Sequence, residues 1–544
     1  MSWIRPVMAP LGWVRSFSLL ETQTRGRLKA SAPFLGRMFC HSHEHVHFQQ
    51  RGLAQSTYWN SGGNTMKKVG KIGLFLLCGG AVLTSLALYA KANNDPFSFS
   101  SKPIVFSSVQ GRQWVEECVK LHPEILWLAD SDVRKTEEGQ ATLQGAYSEQ
   151  LFGQKYIEFD RTILSLYCLK LILDGSESAY LTFTAAQPEN SKLSREGFYV
   201  LHSQGKQLLQ SQLYGLSESE MALTMETALV LADMGKSPRA REKFASYGIA
   251  TVPDHDDFYG EAVQVLAKHP QLCRSFSRLS PFAKQLLIDV ANLVHYGHFT
   301  HLEGGAWVLS QLASNPVLRT NPDAVFFDLF IHSCDVAGAL GHVNNASSLV
   351  YTEPAHRAMQ AVRYAIGILL GPHCKTEWDA YYDYLKTRAS WLGLNPEDRF
   401  NRVLTRIGAM LRLFTPEEGA ALRKAMLELD ASMRDRIVAQ LDVHPQDKMQ
   451  RTPTYIPAVL VNLSNNPELG GSKEERLSKA IAIGLPFLTR VLEGHKEQLA
   501  HHAIDPNIPL NFNEIAGVAK TSPHLLSSAF SIDPEGSVHL VSNH

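Results

Sequence analysis

Residues 217–236, SESEMALTMETALVLADMGK, set the reading of this chain as helical. Ser217 and Glu220 have the S-x-x-E spacing of a capping box, in which each side chain satisfies a backbone donor of the other residue. The apolar run that follows carries the helix to Leu231, and Ala232-Asp233-Met234-Gly235-Lys236 closes it. Similar punctuation recurs downstream. Ser280-Pro281 and Asn395-Pro396 place an N-cap residue before a proline whose missing N–H costs nothing at the first helical position. Thr415-Pro416-Glu417-Glu418 combines both devices. Leu422, Met426, Leu429, Met433, Ile437 and Leu441 recur every three or four residues, which predicts one apolar face of a long helix. Gln113–Leu128 reads as helical and Phe159–Leu173 as a second apolar run, whereas Ala179–Thr184 alternates like a short strand. Residues 501–544, rich in Pro, Asn, Ser and His, read as an irregular tail. No repeat with a period of 20–50 residues is evident. The expected class is mainly α.

The composition bounds the function. Hydrophobic residues make up 44% and charged residues 19% of 544, which excludes a disordered, collagenous or coiled-coil protein and leaves chain for two or three units. The net charge of −1 hides an asymmetry. Residues 1–65 carry seven Lys/Arg against two acids, residues 66–92 carry four Lys and no acid, and the remainder is at about −10. So acidic a body is a poor polyelectrolyte for phosphate backbones, and general nucleic-acid binding is not expected. The seven cysteines are scattered without a CxxC pair and read as buried thiols, not as a disulfide framework.

Residues 72–90, IGLFLLCGGAVLTSLALYA, carry no charge and follow Lys67, Lys68 and Lys71. Such a run is long enough to cross a bilayer core of about 30 Å. It also reads as a secretory signal with a cleavage site near Ala92, above all if the chain starts at Met66 instead of Met1. With 65 residues upstream, a single-pass membrane anchor is the favoured reading. Those residues are basic, like a transit peptide, or an over-long start. Their Cys40-His41-Ser42-His43-Glu44-His45-Val46-His47 run has metal-binding letters, but alternating histidines in a tail seldom close a site. The expected organisation is 1–65 basic segment, 66–92 transmembrane helix or signal, 93–110 linker, 111–194 small mixed α/β unit, 195–345 helical domain, 346–500 helical extension and 501–544 tail.

Between 200 and 342, histidines and acids recur in order: Tyr199-Val200-Leu201-His202, Leu231-Ala232-Asp233-Met234-Gly235-Lys236, Asp254-His255-Asp256-Asp257, His295-Tyr296-Gly297-His298 and Ile331-His332-Ser333-Cys334-Asp335. Imidazoles and carboxylates delivered by several helices into one interior are how helical bundles build metal sites. Mixed N/O ligation suits Mn, Fe, Co, Mg or Zn, and the ligand types alone do not choose among them.

Over residues 200–340 this order resembles the HD-domain superfamily of metal-dependent phosphohydrolases. The resemblance implies a helical bundle of HD type with His202, Asp233 and Asp335 at one divalent metal, and with His255 and His295 or His298 at a second that Asp233 bridges. Lys236 would contact the substrate phosphate, and the substrate would be a phosphomonoester or phosphodiester of nucleotide type. The family's signature histidine is Ala232 here, so one ligand is missing. His332 could compensate, a single metal could remain, or the domain could be an inactive binding module, with the helical 346–500 region as a surface for a protein partner. No phosphate-binding glycine loop, nucleophile elbow or H-E-x-x-H motif occurs, and Ser472-Lys473 after Gly470-Gly471 lacks phosphate-loop spacing.

Overall fold

Helix after helix in this chain begins at a hydroxyl or carboxylate that accepts from a backbone N–H of the first turn, where no carbonyl is available. Ser176, Ser194, Ser217, Ser237, Ser280, Asp398, Thr415, Asp430 and Ser472 all do so. At Ser217 and Ser472 the glutamate three residues on completes a capping box. Ser217→Ala is therefore expected to cost about 1 kcal/mol in urea unfolding, with no other part of the fold disturbed.

The computed structural model describes residues 108–130, 146–252, 255–293, 306–371, 374, 376–443, 453–501, 504–505 and 508–541. All belong to the unit Asp95–His544. Residues 1–107, with the apolar run 72–90 and the histidine run 41–47, lie outside the described residues. Among the described residues no helix is long and apolar enough to cross a membrane.

Two apolar cores divide the described chain. The first runs from Trp114 to Leu385 and the second from Leu392 to Val538. Helix Ile157–Asp174 is the axis of the first core: its apolar residues are spread around the whole circumference and nearly all are buried. Helices Glu177–Phe183, Arg195–Gln210, Glu218–Ala232 and Pro322–Gly338 pack around it, the last most extensively. The second core gathers Arg399–Met410, Pro416–Glu428, Ala431–Leu441, Ile456–Asn465, Lys473–Ala500 and Asn513–Thr521. Beside it lies an antiparallel hairpin, Phe530–Ile532 with Val538–Leu540, in which Ser531 faces His539. Trp391 lies near the junction of the cores, its ring under the guanidinium groups of Arg357 and Arg388 at 4.4 and 4.9 Å.

Several expectations need correction. Ala179–Thr184 is not a strand, because Ser176 accepts from Ala179 N–H and starts a helix that reaches Phe183. The described residues of 111–194 and 195–345 contribute to the same apolar core. The first helix among the described residues begins at Ser108, inside the segment expected to be linker. The apolar face from Leu422 to Leu441 belongs to two helices, broken where Leu429 turns extended and Asp430 caps the next. Asn395 accepts from Glu397 N–H in a turn, and the following helix starts after Asp398. The tail contains Asn513–Thr521 and the hairpin.

Candidate functional site

Five charged side chains from three parts of the first core meet in one cluster. Glu158 and Arg161 come from the first turns of the axial helix. Asp233 and Lys236 come from the turn that ends Glu218–Ala232, and Asp335 from Pro322–Gly338.

Each part is held by a close backbone approach. After Ala232 the chain leaves the helix at Asp233 and winds through the short turn Met234–Lys236. Gly235 lies against the start of helix His255–Lys268: a Cβ there would sit 2.4 Å from the His255 carbonyl oxygen. Arg241 fastens this turn by donating to the Gly235 carbonyl at 2.6 Å and to the Ala250 and Val252 carbonyls of the approaching loop. Asp335 is brought to the axial helix in the same way. One turn further along, a Cβ on Gly338 would lie 2.5 Å from Ser165 N, and Ser165 Oγ is 3.5 Å from the Asp335 carbonyl oxygen.

The ion pairs form a chain. Lys236 Nζ stands 2.7 Å from Asp233 Oδ1 and 3.3 Å from Glu158 Oε2. Arg161 Nη1 donates to both oxygens of Glu158, at 3.0 and 3.2 Å. Burial disfavours the Asp233 charge, yet Lys236 and then Arg161 outweigh it and hold this carboxyl well below its ordinary value. Asp335 goes the other way. Its packed surroundings, and then the Asp233 charge, push it up to about 6. Such opposed shifts in neighbouring acids mark places where chemistry is often done, although structural ion-pair networks produce them too. With three acids and two bases, the cluster carries one net negative charge when all are ionised. Arg161 Nε is buried without a hydrogen-bond partner, as is Nδ1 of the adjoining His342.

The expected ligands are only partly brought together. Asp233, Lys236 and Asp335 share the cluster, and His255 stands at its edge, partly exposed and 3.3 Å from Asp256 Oδ1. His202 does not join it. Its Nδ1 lies 2.8 Å from the Ile172 carbonyl, and its ring fills the space beside Gly175, at the far end of the axial helix. With a rise of about 1.5 Å per residue, that end is roughly 20 Å from Glu158. His295 and His298 lie outside the described residues. Among the described residues no group of three or more His, Cys, Asp or Glu is arranged to hold a metal ion.

Glu158 and Arg161 were missing from the sequence reading. The available signal was the placement of Glu158 and Arg161 in IEFDRTILSLYCLKLILD, a helix with no continuous polar face to receive them. A second polar group also went unread. His122 is fully buried, with Nδ1 3.0 Å from Ser275 Oγ and Nε2 3.3 Å from Glu226 Oε2. Burial, and then the Arg278 charge, hold its ring down to about 3. This serine–histidine–glutamate row is structural: Ser275 has no solvent exposure and its hydroxyl is already given to Glu124.

A family model described as a family of unknown function (DUF6829) matches residues 119–535, most of the chain and both cores. No curated protein and no solved structure matches it.

Proposed function

From a chain that belongs to this family of unknown function, we propose a phosphate-ester hydrolase of divergent HD type, assisted by a divalent cation. Residues 72–90 would tether it to a membrane or export it. The observation that carries the reading is the meeting of Asp233 and Asp335, from distant segments, in one charged cluster with Lys236 and Arg161. The donor set suits a hard cation such as Mg²⁺, which keeps several waters and needs only one or two carboxylates beside the substrate's phosphate. It does not suit the histidine-rich pair of metals that the resemblance implied, since His202 is engaged elsewhere and Ala232 offers no ligand. Asp233 and Asp335 would hold the cation, offsetting the cluster's net negative charge. A bound divalent cation lowers the pKa of coordinated water and stabilises charge on a phosphoryl group. Lys236 and the free Nε–H of Arg161 supply charge-assisted hydrogen bonds to phosphoryl oxygens. Glu158 orients both cations.

A second reading, an HD-like module that binds a protein partner and cleaves nothing, is favoured by Ala232 and by the ammonium of Lys236 already resting on Asp233. Metal analysis, calorimetric titration with Mg²⁺ and Mn²⁺, and a panel of phosphomonoesters, phosphodiesters and nucleotides separate the two. Cation uptake and hydrolysis that are both lost in folded Asp233→Asn and Asp335→Asn support the enzyme. A full-length protein that takes up no cation and hydrolyses nothing beyond those variants would sink it in favour of the binding module.

A further inference from the structure

Four buried groups stand in a row in the first core: Glu124, Ser275, His122 and Glu226. They come from the turn Pro123–Asp130 and the residue before it, from the short helix Arg274–Ser277 and from Glu218–Ala232. The Ser275 hydroxyl meets Glu124 Oε2 on one side and His122 Nδ1, at 3.0 Å, on the other. His122 Nε2 stands 3.3 Å from Glu226 Oε2. Each of these three links joins two electronegative atoms and needs one hydrogen between them. A serine hydroxyl brings one, a neutral imidazole brings one, and two ionised carboxylates bring none. The row is one hydrogen short. The count holds for either imidazole tautomer and either direction of the hydroxyl, because each choice only moves the bare link.

The other partners decide where the third hydrogen sits. Glu124 also accepts from Arg274 N–H at 2.5 Å and from Ser275 N–H at 3.3 Å, two donors at a helix start that favour its ionised form. Ser275 therefore donates to Glu124, and its oxygen accepts from His122 Nδ1–H. The bare link is the last one, and the extra proton belongs to the His122–Glu226 pair. We infer that this row is a proton-loaded brace across the first core, closed while the His122–Glu226 pair carries the extra proton and opened when the pair loses it. The inference is independent of the hydrolase reading, although Glu226 lies about two helical turns before Asp233, where the same helix ends. Around the pair stand Glu117 and Cys118 of helix Ser108–Leu121, Lys170 of the axial helix, and Cys273 and Arg278 flanking Arg274–Ser277. Arg278 disfavours charge on the ring, so the proton rests on Glu226. None of these groups alters the number of hydrogens the row needs.

Without the proton, two buried acceptors face each other, which is costly. Below about pH 6.5 an imidazole in the opened chain is protonated as well, and the brace contributes its full stability. Above that value, closure takes up a proton that the opened chain no longer holds. Opening should therefore rise about tenfold per pH unit until the closed row itself gives the proton up.

Hydrogen exchange of the full chain between about pH 6 and 9, corrected for intrinsic exchange, reads opening at residues 118–128 and 222–230. Both segments of the wild type should lose protection together, about tenfold per unit above about pH 6.5. Glu226→Gln carries the third hydrogen covalently, on its amide, and should stay protected with no such slope. Ser275→Ala leaves only the link to Glu226, for which a neutral imidazole has a hydrogen of its own. It should be more open throughout and also lack the slope. A wild type without the slope, or either variant with it, overturns the brace.

Discussion

Arg161→Met is expected to destabilise the protein by about 3–5 kcal/mol, the usual cost of removing one member of a buried charge group. Among the described residues Arg161 and Lys236 are the cations on Glu158, and Arg161 also offsets the charges of Asp233 and Asp335. Without it, three acids share one ammonium. Methionine fills much of the same volume, so the loss reflects charge more than packing. Urea unfolding measures it, and Arg161→Met with Glu158→Gln should recover a good part, because the second change removes the acid left without its partner. The pH dependence has a definite sign. The folded carboxyl of Asp335, already raised from 3.8 to about 6, is stabilising in its neutral form below 3.8 and loses that contribution as pH rises to about 6. Removing Arg161 raises it further, so the variant should be closer to wild type at pH 5 than at pH 8. Equal losses at both pH values would show that Arg161 acts by packing alone.

The helix starts were legible because a cap is a local signal: Ser217, Ser280 and Thr415 each announce a helix through a side chain that reaches only three residues ahead. Periodicity was weaker evidence where it was short or could be interrupted. Six alternating residues at Ala179–Thr184 fit one and a half helical turns as well as a strand, and the Ser176 cap decided it. An apolar face also survives a break, so Leu422 to Leu441 could not show that Asp430 starts a new helix. At the site, ordered spacing named Asp233, Lys236 and Asp335, which lie in one charged cluster. It misplaced His202 because a register along one helix does not say which end of its partner it meets. Glu158 and Arg161 were passed over for a related reason. Charges in a first helical turn ordinarily reach solvent, and only the packing of Pro322–Gly338 and the Met234–Lys236 turn encloses these two.

That packing rests on one missing side chain. Gly338→Ala is expected to cost about 3 kcal/mol, at the upper end of what overpacking does, and Gly338→Leu should yield no folded protein. A Cβ at Gly338 would stand 2.1 Å from Ser165 Oγ, 2.5 Å from Ser165 N and 2.7 Å from its Cα. The hydroxyl could rotate away, but the backbone of an axial helix buried along most of its length has little room to move. The two helices must separate, and the separation falls one turn from Asp335 and one turn from Arg161, on the contact that brings them together. Gly338→Ala should therefore weaken the electrostatic coupling of the cluster as well as the core, which a double-mutant cycle with Arg161→Met detects as non-additivity. Gly367 supplies the control. It too lies in a helix, but a Cβ there meets nothing within 4 Å. Gly367→Ala should be stabilising by about 0.5–1 kcal/mol through helix propensity alone. If Gly338→Ala behaved like Gly367→Ala in thermal unfolding, the close approach of these two helices would be refuted, and with it the juxtaposition of Asp335 and Arg161 on which the candidate site depends.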